Sequence, residues 1–166
     1  MKKAILFFAM VAFVGLGQVM AQKFGHINSQ ELLELMPEMK EAESKLANLA
    51  KEMESSLQSM SSEYQTKLAE YQSKQSTLSE TQRELMESEI TDLGTRIQNF
   101  QVSAEQRVAK KRQEWLQPIL DKAKGAIEEV GNENGFTYIF DSSVGVTLYE
   151  NGENVLGLVK KKMNLQ

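Results

Sequence analysis

YQSKQSTLSETQREL, residues Tyr71 to Leu85, separates two long stretches of helical periodicity, and its reading decides the fold. Upstream, apolar residues recur at Met39, Ala42, Leu46, Leu49, Met53, Leu57, Met60, Tyr64, Leu68 and Tyr71. Their mean spacing matches one face of an α-helix, and Ser, Gln, Glu and Lys fill the other faces. The rhythm fades inside the quoted stretch. It resumes at Met86, Ile90, Leu93, Ile97, Phe100, Ala104 and Val108, then at Trp115, Ile119, Ala123, Ile127 and Val130. Ser79-Glu80-Thr81-Gln82 and Thr81-Gln82-Arg83-Glu84 are overlapping capping-box patterns, so a second helix starts near Ser79 or Thr81. The stretch is therefore the bend of an antiparallel helical hairpin, with its tip near 77–82. No Gly or Pro forces the turn, and the alternative is one unbroken helix through it.

Each arm of about 40 residues is ~60 Å long at 1.5 Å per residue. A single narrow apolar stripe is the pattern of a coiled coil. Steps of 4, 4 and 3 from Leu49 to Met60, and again from Met60 to Tyr71, should flatten the usual supercoil locally. Gly94 weakens the returning helix, and Pro118 removes one of its hydrogen bonds; both are candidate hinges.

Outside residues 38–130 the periodicity changes. Phe24 and His26 fall on one face of a short strand, with Ile27 on the other. Asn28 and Glu31 resemble a capping box, and Pro37 kinks or restarts the helix that follows. Asn134-Gly135 reads as a helix stop. The runs FTYIF and VGVTLY, separated by Asp141-Ser142-Ser143, read as a β-hairpin, and Asn151-Gly152 as a further turn. Val155, Leu158, Val159 and Met163 form the inner face of a terminal amphipathic helix. The β-rich body thus comprises residues 22–37 and 131–166. It is too small to be secure alone without disulfides, and its strands leave open edges. Assembly into a symmetric oligomer answers both problems.

Residues 1–21 have a basic start, the apolar run AILFFAMVAFVGLG and small residues at Val19 and Ala21. This is the layout of a cleavable export signal, with cleavage after Ala21. Removing 21 of 166 residues leaves 145. Lys2 and Lys3 go with the signal, so 17 of the 19 basic residues face 23 acidic ones, a net charge of −6. That balance argues against nucleic acid as the main partner. The absence of Cys excludes disulfides, thiol nucleophiles and Cys-based metal sites, and suits an oxidising compartment.

His26 is the only histidine, so Ser has no partners for a triad, and no phosphate loop, nucleophile elbow or metal-ligand cluster occurs. Neither an enzyme, nor a cofactor, nor a metal site is expected.

The order of parts, together with KFGHINSQELLELMPEMK, WLQPILDKAKGAIEEVGNENGFTYIFDSS and LYENGENVLGLVKKKMN, resembles the Skp (OmpH-like) family of periplasmic chaperones across the whole mature chain. The expected fold is mainly α with a small β body. A long hairpin arm projects from an oligomerisation domain with three strands per subunit. The resemblance implies a periplasmic homotrimer acting as an ATP-independent holdase for unfolded outer-membrane β-barrel proteins, held between its arms. Candidate client-binding residues are Met53, Leu57, Met60, Tyr64, Leu68, Tyr71, Leu78, Leu85 and Met86. Candidate oligomer-interface residues are Phe24, Ile27, Phe136, Tyr138, Ile139, Phe140, Val146 and Leu148.

The chain departs from the family pattern in charge. Glu70, Glu80, Glu84, Glu87, Glu89 and Asp92 against Lys74 and Arg83 make the arm tip −4, which puts contact with lipopolysaccharide or anionic membranes in doubt. Arg107, Lys110, Lys111 and Arg112 form a local basic patch that could still attract acidic clients. The competing reading is a structural coiled-coil adaptor that docks a fixed envelope partner through its tip. The small polar residues of STLSETQ favour the chaperone.

Overall fold

A computed structural model describes residues 22–145 and 148–165. The expected export signal with its expected cleavage point, and Val146, lie outside the described residues. In chain order the elements are β1 (Phe24–Ile27), α1 (Ser29–Leu35), α2 (Pro37–Lys74), α3 (Glu80–Glu133), β2 (Tyr138–Asp141), β3 (Glu153–Asn154) and α4 (Leu156–Lys162).

The quoted stretch is the bend. α2 ends at Lys74, and Ser79 caps α3: its side chain accepts from the Gln82 amide, while the Gln82 side chain accepts from the Ser79 amide. Two orphan helix-start donors are satisfied in this way without glycine or proline. Cross-arm pairs fix the register. Glu38 meets Lys122, Tyr64 lies over Gly94, Lys67 meets Glu89 and Tyr71 meets Glu87. Every pair is centred between residues 78 and 80, as an antiparallel hairpin folded about Ser79 requires. At 1.5 Å per residue the 38-residue α2 is ~57 Å long and the 54-residue α3 ~81 Å, so α3 runs on into the body.

Asn28 caps α1 by accepting from the Glu31 amide. Pro37 does not kink that helix. It occupies the first turn of α2, where a missing N–H costs nothing, so it restarts the chain after Met36. At the far end of α3, Gly135 takes φ +68°, a left-handed conformation that glycine adopts without strain.

Among the described residues the expected β-hairpin is not found. The sheet order is β2-β1-β3, and both neighbours run parallel to β1. β1 pairs Phe24 with Tyr138 and His26 with Phe140 on one edge, and Gly25 with Glu153 and His26 with Asn154 on the other. Parallel pairing of β1 and β2 is possible because the whole hairpin serves as their crossover. The turn residues explain the correction. Asp141 accepts from the backbone amides of Ser29 and Ser143, and the Ser142 amide donates to Ile27, which draws the chain off β2. The free edge of β1 is then taken by Glu153–Asn154, and Leu148 is left 99% exposed.

Ile27, Leu32, Met36, Val130, Val155 and Val159 are buried essentially completely. Their cluster continues into Ala42, Ile119 and Ala123, with Met39, Trp115 and Ile127 packed on it. The core therefore takes in the bases of both arm helices. Gly25 sits under this layer: a Cβ there would come within 2.9 Å of the Phe136 ring and 3.0 Å of Val155.

Candidate functional site

Two surfaces carry the candidate residues, the arm and the outer face of the sheet. On the arm, the seam buries Leu49 and Met53 of α2 and Leu93 of α3. Leu57, Met60, Tyr64, Leu68, Tyr71, Leu78 and Met86 are half-buried along it. Each keeps part of its surface open to solvent. Leu85 is the exception, at 60% exposed just past the bend. Of the candidate client residues it is the one with most apolar surface free, and Met53 is the one with least.

Near the tip polar pairs close the seam. Lys67 Nζ donates to Glu89 Oε2 at 2.6 Å, and the Tyr71 hydroxyl donates to Glu87. These bonds to carboxylates raise the pKa of both donors. Exposed pairs of this kind set register more than they add stability. The hydroxyls that make the arm look chemically rich turn back on their own helices: Thr66 bonds Ser62 O, Thr91 bonds Glu87 O, Thr95 bonds Thr91 O and Ser103 bonds Phe100 O. No metal-ligating cluster occurs among the described residues.

The second surface is aromatic. Phe24, Tyr138 and Phe140 stack with centroids 6.0 to 6.3 Å apart and stand 42 to 58% exposed. Strand register puts them on one face, since Phe24 pairs with Tyr138 and Phe140 is two residues on. Beside them His26 Nε2 lies 3.4 Å from Glu150, and its buried Nδ1 has no hydrogen-bond partner among the described residues. Leu148 and Tyr149 flank a groove of about 880 Å³ against this face.

The candidate interface residues divide here. Phe24, Tyr138, Phe140 and Leu148 present open surface. Ile27 points the other way and is buried in its own subunit's core. Phe136 and Ile139 are half-buried against that core, with Lys23 over the Phe136 ring. Of the candidate hinges, Gly94 is covered by Tyr64, and Pro118 sits within α3 beside the core residue Ile119.

Sequence reading missed three features. Val102 and Leu120 are exposed on α3, off the stripe that defined the seam. Tyr149 is 79% exposed and lies outside any strand found among the described residues. A notch opens where Ala50, Ala104 and Ala109 meet across the arm. Alanines on and beside the stripe were the available signal for the last.

Comparison with known proteins places the chain. The family model described as outer membrane protein (OmpH-like) matches residues 23–163. Among solved structures, one from Caulobacter crescentus CB15, described as a candidate OmpH-like outer membrane chaperone, superposes with a TM-score of 0.74 at 12% identity. The match covers 86% of this chain and 84% of that one. No curated protein matches the sequence.

Proposed function

The chain belongs to the OmpH-like family of outer membrane proteins, and from that premise we propose that it is an ATP-independent periplasmic holdase for unfolded outer-membrane β-barrel proteins. The family is one of chaperones and not of enzymes. In the proposed assembly, three copies join through their sheets, and the hairpins enclose a space in which a client is shielded.

The observation that carries this reading is the aromatic face of Phe24, Tyr138 and Phe140 on an all-parallel sheet. Parallel sheets are stable with both faces covered, and in one chain helices cover only one. Covering the other with copies of itself gathers the arms about one axis. The arms then offer weak, dispersed contacts: half-buried Met, Tyr and Leu edges adapt to many partners without reading a sequence. Unfolded barrel strands, apolar at alternate residues, are the clients that need such walls.

The test is the mass of the mature protein in solution, together with its effect on a barrel protein diluted from urea. A trimer that keeps the client in solution at near-stoichiometric ratio is expected. A monomer, or a trimer that leaves precipitation unchanged, sinks the proposal. One observation favours the adaptor reading: Leu85 presents an apolar side chain beside the tip. Its mutation separates the two readings, as argued below.

A further inference from the structure

The seam of the arm is not uniformly closed. Midway along it, Ala50 and Met53 of α2 face Ala104, Val108 and Ala109 of α3 across a notch of about 460 Å³, rimmed by Glu105 and Arg112. Ala104 lies on the stripe, while Ala50 and Ala109 sit beside it as exposed residues next to Leu49 and Val108. Together the three alanines leave a shallow apolar trough along the edge of the seam that the chain's own side chains do not fill.

The rim charges are unusual for this arm. Lys111 and Lys110 are both drawn to Glu114, at 2.6 and 3.9 Å. Arg107, Arg112 and Glu105 have no ion-pair partner among the described residues. From Glu105 to Glu114 α3 carries four basic residues against two acids, while the tip is net negative.

We propose that this notch is a client subsite that takes one extended segment of unfolded polypeptide, an apolar side chain seated among the alanines and a neighbouring carboxylate held by Arg112. The dimensions agree with this. Glu105 and Arg112 are seven residues apart, ~10.5 Å along the helix, a distance an extended strand covers in about three residues. A strand of that length places one large apolar side chain over the trough and its flanking polar groups over the two rims. The planar guanidinium of Arg112 then matches a carboxylate in bidentate fashion, as a lysine would not. The acidic tip repels the same segment, so capture falls at mid-arm, deep between the arms.

The inference rests on the holdase reading but is tested separately from it. The probe is a short labelled peptide alternating Phe or Leu with Glu, and its twin with Lys in place of Glu, titrated with the mature protein. Ala109→Leu fills the notch from its rim and should weaken the acidic peptide at least about tenfold. Arg112→Gln should weaken the acidic peptide about fivefold and leave the Lys twin unchanged. Wild-type affinity for the acidic peptide in a folded Ala109→Leu protein would overturn the proposal. If that variant loses helicity, Arg112→Gln decides alone, because its side chain lies at the rim: equal binding of both peptides before and after the change rejects the subsite. Suppression of client precipitation is measured alongside. Intact suppression with unchanged peptide binding removes the notch and keeps the holdase. Notch-dependent peptide binding without suppression does the reverse.

Discussion

The arm and the body are built from similar apolar content, yet they hold it in opposite ways. The body closes Ile27, Leu32, Met36, Val130, Val155 and Val159 off from solvent, gathering into one cluster residues that are far apart in the chain. The arm spreads its apolar residues along one seam and leaves most of them half-open. A two-helix ribbon has only one neighbour per helix, so it cannot do better. The consequence is a division of roles. The body must be intact for anything to assemble, whereas the arm tolerates local change and keeps surface to lend.

The largest expected effects lie in the body and separate its two faces. Val155→Asp places a charge in a site with no exposure and should abolish cooperative folding, since an unpaired buried charge costs several kcal/mol. Phe140→Asp changes a side chain that is 50% exposed, so the subunit should keep its helicity but sediment as a monomer and lose client protection. Seam changes such as Leu57→Asp should do neither. If Phe140→Asp sediments as the wild type does, the aromatic face is not the interface.

Asp141 joins the two ends of the body and gives the next effect. Burial would raise its pKa, but hydrogen bonds from the hydroxyls and amides of Ser29 and Ser143 outweigh that and leave it lowered from 3.8. A depressed folded pKa means stability that is complete above the unfolded value and lost as the pH falls through the folded one. Asp141→Asn should cost about 1–3 kcal/mol near neutrality, as expected for hydrogen bonds to a charged group. It should also flatten the acid limb of the unfolding curve below pH 3.8. Equal stability of the two proteins at neutral pH would show that the cluster is incidental.

The same contrast decides what could be read from the sequence. The arm was legible because helical order is local: the stripe, the Ser79 cap and Gly135 each act within a few residues. Pairing of strands is not local. FTYIF and VGVTLY have good strand composition, and a hairpin is the shortest way to join them. Nothing near Asp141 in the sequence announces that its partners are Ser29 and Ser143, or that β1 is the middle strand. The candidate site was legible to the same degree. Phe24, Tyr138 and Phe140 were identified by type, and their common face followed only from parallel register. Alternation set Ile27 apart from Phe24 without saying that its face is the one turned to the core. The notch escaped notice because it is made by residues too small to attract attention.

Gly94 tests how rigid the arm needs to be. A Cβ there would sit 3.6 Å from the Tyr64 ring, an ordinary contact. Gly94→Ala should therefore raise stability by about 1 kcal/mol through helix propensity alone. If arm bending accommodates clients of different size, the variant should protect a narrower range of them. A more stable arm with an unchanged client range would show that flexibility at this glycine has no functional weight.

The smallest effect is expected at the tip, where the comparison between dispersed walls and a specific dock is sharpest. The Ser79–Gln82 capping box satisfies the first amides of α3, and the bend is otherwise polar and solvated. Replacing Ser79, Glu80 and Gln82 together with Ala should lower stability only slightly, by about 0.5 kcal/mol from the lost cap, because only the outermost turn depends on it. Protection of clients should not change, since walls need the tip to turn and remain hydrated and nothing more. Leu85→Ser should be equally mild. Its side chain is open to solvent, so its loss removes no packing, and one contact among many dispersed ones is small. A fixed dock predicts otherwise: an exposed apolar residue beside the bend would be its anchor, and anchors carry most of an interface's energy. If either tip variant stays assembled and folded but loses protection entirely, the tip is a docking site and the adaptor reading replaces the holdase.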